Sequence, residues 1–238
     1  MSFYELFLIT IILLPGIFLM VLNEKDLYQD ISQEIPSFAL RLVNHVILSF
    51  PFAILGLFFY KHGNFKLFSL KFDTFSILLS LLVAFINVAA YYYLKKNGLR
   101  EAFIEGDKTR KKLWNWTRCL YGGVVEEIIF RFGLMSFFVW VGNLLTAQST
   151  VIFWIANVLA SILFALAHLP GIYQRQKTVT KTMLFYINSI NLLVGITCGW
   201  LYWQYGLLTA IMCHMVFHLV WYVFEKIDYQ LNGKLEFK

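Results

Sequence analysis

Long apolar stretches separated by short polar connections dominate the chain. A helix that crosses a bilayer needs roughly 20 mostly apolar residues, and seven stretches meet that requirement. They predict spanning helices over 4–22, 38–60, 74–94, 118–138, 149–169, 183–203 and 207–224. The pattern therefore predicts an all-α polytopic bundle of about seven to eight helices.

Composition agrees with a membrane protein. The chain is 59% hydrophobic and only 14% charged, whereas soluble domains are about 45–50% apolar and about 25% charged. No internal repeat or low-complexity segment divides the sequence, so residues 1–238 are interpreted as a single integral membrane domain. The chain is therefore predicted to be a multi-pass protein of a cell membrane.

The net charge of +6 does not indicate a nucleic-acid partner. The basic residues lie in the connections between apolar stretches, which is how membrane topology is encoded. They concentrate on one side, which the positive-inside rule predicts to be cytoplasmic, with the N-terminus outside. The connection 95–118 carries eight Lys or Arg residues and predicts a helix on the membrane surface, with Trp114 and Trp116 at headgroup level. A docking surface for an acidic partner is the alternative.

The fourth stretch carries three charges near its middle: Glu126, Glu127 and Arg131. Each charge at the centre of a spanning helix costs about 2.5–3.5 kcal/mol, so these residues need partners. Glu127 and Arg131 are four apart and share a helix face, where they can neutralise each other. Glu126 points about 100° away and is left as a surplus carboxylate.

Three of the five histidines lie at the depth of this carboxylate. His168 ends the fifth stretch, while His214 and His218 lie one turn apart on the seventh. His45 and His62 are interpreted as interfacial or loop residues. The sequence therefore predicts a cluster of one acid and three imidazoles on three helices of the C-terminal half.

Two chemistries suit such a cluster. A carboxylate and an imidazole can take a proton from water, and further imidazoles can donate to the oxyanion formed when that water attacks a carbonyl. Alternatively, Glu126, His168 and His214 could hold zinc or another divalent ion with a water in the open position. Both lead to amide hydrolysis, with no cofactor in the first case.

Three ordered motifs resemble those of the CPBP intramembrane proteases. The run EEIIFR begins at Glu126, FALAH ends at His168, and HMVFH joins His214 to His218. They resemble the motifs EExxxR, FxxxH and Hxxx followed by a polar residue, and the likeness covers about residues 118–225. The family includes the CAAX prenyl endopeptidase and bacterial enzymes linked to bacteriocin immunity and peptide maturation.

The resemblance implies a role for each matching position. These roles are the water-activating base (Glu126, assisted by His168), oxyanion stabilisation (His214 and His218), a structural pair (Glu127 and Arg131) and a pocket wall (Phe164). His218 departs from the family, which usually has asparagine there. Its protonation would add a pH dependence that an amide lacks.

The chain is thus predicted to be a CAAX-protease-like intramembrane endopeptidase that cuts a membrane-associated protein or peptide within the lipid bilayer. A non-catalytic protein of the same fold, giving immunity or regulation by binding a partner, is the alternative. A proton-coupled transporter is a weaker one, because no inverted repeat is visible. The sequence predicts neither the substrate nor the oligomeric state.

Two other features are interpreted structurally. Cys119, Cys198 and Cys213 lie in or beside apolar stretches, where cysteine behaves as a small hydrophobic residue. Gly195 and Gly199 form a small face that permits close helix packing.

Overall fold

A computed structural model of the protein describes residues 2–28, 34–69, 73–98, 100–175 and 179–232. Within these ranges the regular structure is helical, with no strand. The helices are α1 (Phe3–Tyr28), α2 (Phe38–Phe59), α3 (Thr74–Lys96), α4 (Arg100–Lys111), α5 (Asn115–Leu145), α6 (Thr150–Ala167), α7 (Leu169–Arg175), α8 (Lys181–Gln204) and α9 (Leu207–Asn232). A short 3₁₀ turn, Tyr60–Gly63, follows α2.

Seven spans in the described residues are long and apolar enough to cross a membrane, which confirms the predicted all-α polytopic fold. They are α1, α2, α3, α5, α6 continued by α7, α8 and α9. Large apolar side chains such as Ile47, Leu78 and Phe185 are exposed on the outside of the bundle. Such a surface suits lipid rather than water.

Three helices extend several residues further than hydropathy predicted, and one of them is α5, which was predicted over 118–138 and covers Asn115–Leu145. The prediction for α1 ended at residue 22, but the helix continues to Tyr28 because Asn23 is fully buried. Its amide nitrogen donates to the Lys112 carbonyl at 2.8 Å, and its amide oxygen accepts from the Trp114 backbone N–H at 2.7 Å. The prediction for α9 ended at residue 224, whereas its acidic side chains beyond that point pair with basic ones and the helix runs to Asn232.

The predicted end of the fifth stretch at residue 169 is only partly correct. α6 ends at Ala167, and α7 begins at Leu169, so that Pro170 lies in the first turn of a new helix. Proline is tolerated in a first turn because its missing N–H would have no helical partner there.

The connection before α5 forms a helix, α4, that docks on one end of the bundle. Phe103 of α4 packs against Tyr91 of α3 in a buried aromatic cluster that also contains Trp221. Arg110 of α4 pairs with Glu225 of α9. Burial by itself lowers the pKa of Arg110, but the neighbouring carboxylates raise it overall, so this guanidinium stays charged.

α5 lies at the centre of the bundle, with α1, α2, α6 and α9 packed around it. Val125, Ile128, Phe132 and Met135 of this helix have no exposed surface. Two segments of α5, Arg118–Glu126 and Ile128–Met135, have π-helical winding, with backbone hydrogen bonds from i to i+5. Such segments are rare and occur frequently at functional sites.

Close packing of α8 on α6 confirms the structural interpretation of the two glycines. A Cβ on Gly195 would lie 2.8 Å from the Ser161 Cβ, and one on Gly199 would lie 2.6 Å from the Asn157 Cγ. Asn157 cannot easily move, because it donates to the Ile196 carbonyl at 3.0 Å and accepts from the Ser161 hydroxyl at 3.3 Å.

Gly199→Ala is therefore expected to lower the free energy of unfolding by about 1–3 kcal/mol, the usual cost of overpacking a core. Gly171→Ala is the matched control, because a Cβ there meets nothing within 4 Å. Thermal unfolding in detergent would compare the two. Equal stability of both variants would contradict the packing argument.

Candidate active site

The acidic pair of α5 divides into one buried and one accessible carboxylate. Glu127 is 0% exposed and Arg131 is 1% exposed, and their Oε1 and Nη1 atoms lie 3.1 Å apart. Glu126 is half-buried, and the described residues offer its carboxylate no hydrogen-bond partner. The geometry leaves Glu126 as the acid that a water molecule or substrate can reach.

α9 brings His214 to the buried member of this pair. Nδ1 of His214 lies 2.8 Å from Oε1 of Glu127, and both side chains are buried. The sequence grouped His214 with Glu126, but the direct contact is with the neighbouring glutamate. Glu127 therefore links the α5 cation to an α9 imidazole.

Phe164 of α6 and His168, the residue that caps the C-terminal end of this helix, complete the cluster. The Phe164 ring is buried, with its centroid 4.8 Å from that of His168 and 5.7 Å from that of His214. The Arg131 guanidinium carbon lies 4.5 Å from the same ring centroid. Phe164 thus touches side chains from all three helices and fixes their spacing.

The tautomer of His168 follows from its hydrogen bond. Its Nδ1 lies 2.8 Å from the Phe164 carbonyl oxygen, which can only accept, so Nδ1 carries the proton. In the neutral ring, Nε2 then has a free lone pair. This nitrogen can accept a proton from water.

His218 stacks on His214, with ring centroids 4.9 Å apart and planes 18° apart. Its Nε2 is buried, and no partner for it occurs in the described part of the chain. Gly122 of α5 makes room for this nitrogen, since a Cβ there would lie 2.5 Å from it. The four predicted catalytic residues thus lie on α5, at the C-terminal end of α6 and on α9, although their roles stay predictions.

Two features near the site escaped the sequence interpretation. Cys198 of α8 was interpreted only as a small hydrophobic residue, yet its sulfur lies within 4.8 Å of ligand atoms of Glu127 and His214. His45, interpreted as interfacial, has Nδ1 2.8 Å from the Tyr121 hydroxyl and Nε2 3.1 Å from a Glu24 carboxylate oxygen. Both contacts join distant parts of the sequence, which no local pattern reveals.

The predicted metal ligands Glu126, His168 and His214 are not the ones that converge most closely. In the described residues, the three ligand-type atoms within 4.8 Å of one another belong to Glu127, Cys198 and His214. Arg131 already lies 3.1 Å from the Glu127 carboxylate, and its positive charge would repel a divalent ion bound there. This donor set fits a metal poorly.

The fold and this cluster define a multi-pass membrane protein with a carboxylate–imidazole site inside the helical bundle. Residues 110–220 match the family model described as "Type II CAAX prenyl endopeptidase Rce1-like", and the match includes every residue of the cluster on α5, α6 and α9. The matched residues make up just under half of the chain, and they confirm the resemblance to the CAAX protease family seen in the motifs. Comparison with curated proteins and with solved structures gave no match.

Proposed function

We propose that the protein is an intramembrane endopeptidase that hydrolyses a peptide bond of a membrane-associated protein or peptide. The family is one of proteases. The main support for the proposal is that an acidic pair on α5 lies near imidazoles from α9 and from the end of α6. These groups lie in a bundle whose outer surface is apolar. Polar groups are expensive inside a membrane and typically serve function there.

Glu126 and His168 would activate the water. Both side chains are half-buried, so water can reach them, and Nε2 of His168 has the lone pair needed to accept a proton. The water oxygen bonds to the substrate carbonyl carbon as its proton passes to the acid or the imidazole. That proton then goes to the leaving amine nitrogen as the C–N bond breaks, which restores the site.

His214 and His218 would stabilise the oxyanion. Nδ1 of His214 contacts the Glu127 carboxylate, so one proton lies between these two residues. The Nε2 atom of His214 can therefore donate only when the pair carries a second proton, bound to Nε2. Arg131 supplies a fixed positive charge beside the same carboxylate. The buried Nε2 of His218 could donate directly in its Nε2–H tautomer, which replaces the amide donor of the family motif.

The proposed setting is a bacterial cytoplasmic membrane, where such an enzyme would serve peptide maturation or bacteriocin immunity. A prenylated peptide ending in Cys-aliphatic-aliphatic-X is the first substrate to test, because the matching family is described by that activity.

Hydrolysis by purified protein in liposomes tests the proposal. We expect mass spectrometry to detect two fragments of the prenylated peptide, with ¹⁸O from labelled water in the new carboxylate. A folded wild-type protein that leaves the peptide intact would contradict the proposal. A parallel reaction with a chelator tests the metal alternative, which would require lost activity that Zn²⁺ restores.

A further inference from the structure

A cavity of about 340 Å³ lies away from the carboxylate–imidazole cluster. It is formed where α4 ends, α5 begins and the last turns of α9 pass. All three segments lie at the end of the bundle that the basic connections predict to be cytoplasmic. The site described above uses none of the residues that line this cavity.

Positive charge predominates in this cavity. Lys111, Arg118 and Lys226 line it, together with a single carboxylate, Glu225. Glu225 is already engaged, because it accepts hydrogen bonds from Arg110, Arg118 and the Trp221 indole. The cavity therefore has a net positive charge that this carboxylate does not cancel.

The two lysines are held without a carboxylate partner in the described residues. The Lys111 ammonium lies 5.2 Å from the centroid of Tyr229, and the Lys226 ammonium lies 4.9 Å from that of Tyr222. These cation–π contacts position the ammonium groups but leave their charges available to an anion.

Arg118 provides an independent sign of a ligand. Its side chain is 7% exposed and lines the cavity. Two of its nitrogens donate to Glu225 and to the Arg110 carbonyl, but its buried Nε has no acceptor among the described residues. A buried donor without an acceptor is unfavourable, so an anionic oxygen beside it would be stabilised.

The start of α5 adds further donors. Trp114 precedes the first turn of this helix and provides no side-chain cap. The first backbone N–H groups of a helix have no helical acceptor and form the positive end of its dipole, which favours an anion. Asn115, in the same turn, lines the cavity and has a buried amide oxygen that could accept from a hydroxyl group.

We propose that this cavity binds the phosphate group of an anionic phospholipid from the predicted cytoplasmic leaflet. A lipid suits the position better than free phosphate, because the cavity lies at the ends of spanning helices and is lined by the exposed rings of Trp114 and Tyr229. Aromatic side chains of this kind lie at headgroup level, and basic pockets between helices bind lipid headgroups. The inference does not rest on the proposed function, since its readout is lipid binding.

Lipid-dependent stabilisation tests this site. Full-length protein in detergent is titrated with phosphatidylglycerol or with phosphatidylcholine, and the thermal midpoint is recorded. Phosphatidylglycerol is expected to raise the midpoint and phosphatidylcholine to leave it unchanged. Lys111→Gln/Lys226→Gln should weaken the apparent affinity for phosphatidylglycerol about 30-fold, since each surface lysine contributes roughly a fivefold effect.

The matched control is Lys96→Gln/Lys108→Gln, which removes two exposed lysines at the same end of the bundle but outside the cavity. It should bind phosphatidylglycerol as the wild-type protein does. Equal weakening in both double variants, or equal stabilisation by both lipids, would overturn the proposal. An equal rise of the thermal midpoint with inorganic phosphate alone would assign the cavity to free phosphate and overturn the proposal of a lipid.

Discussion

Glu126→Gln is expected to abolish peptide hydrolysis while leaving the protein folded. The substitution keeps the shape of the side chain but removes the group that accepts a proton from water, a step that contributes about 10²–10⁴-fold. Because Glu126 is half-buried and has no hydrogen-bond partner in the described residues, the bundle does not depend on its charge. The measurement is the rate of cleavage of the prenylated peptide in liposomes, with the thermal midpoint recorded on the same sample.

His168→Asn should cause a loss of similar size, because it removes the Nε2 lone pair. If the acid and the imidazole act as a unit on one water, the double variant should be no slower than the slower single variant. Glu5→Gln is the control, since it removes a carboxylate that contacts Tyr60 and Lys61 at the opposite end of the bundle. Rates within about threefold of wild type for both single variants would refute the assigned roles.

The spans were predictable because each depends on a local property. A helix that crosses a membrane must be apolar along its whole length, and this requirement is visible in any window of the sequence. The contact of Glu127 with Arg131 was predictable for the same reason, because residues four apart share a helix face. The helix ends at residues 28 and 232 were not, since Asn23, for example, is buried by a hydrogen bond to a carbonyl 89 residues away.

The sequence also could not predict which of the two glutamates contacts His214. A rotation of 100° per residue assumes α-helical winding, and under that assumption Glu127 is satisfied by Arg131 alone. The π-helical segments on either side of Glu127 change that rotation, and α9 presents His214 to Glu127. The contact depends on how three helices pack, which hydrophobic periodicity does not specify.

Glu127 therefore contributes both to the stability of the bundle and to the proposed catalysis. Its Oε1 atom contacts Arg131 at 3.1 Å and His214 at 2.8 Å, while its Oε2 atom is buried and has no partner among the described residues. A carboxylate in this position can be tolerated only while a positive charge lies beside it. The same carboxylate contacts Nδ1 of His214 and so fixes the orientation of that imidazole.

Arg131→Met is accordingly expected to lower the free energy of unfolding by about 3–5 kcal/mol, because it leaves a buried carboxylate without its cation. Glu127→Gln/Arg131→Met removes both charges and should recover most of that stability, yet hydrolysis should stay impaired because His214 loses its charged partner. Lys61→Met is the matched control, since it breaks a pair whose lysine is 62% exposed and should cost little stability. Denaturant titration in detergent micelles measures all three variants. An Arg131→Met cost no larger than that of Lys61→Met, or a double variant less stable than Arg131→Met, would show that the buried pair is not what stabilises α5.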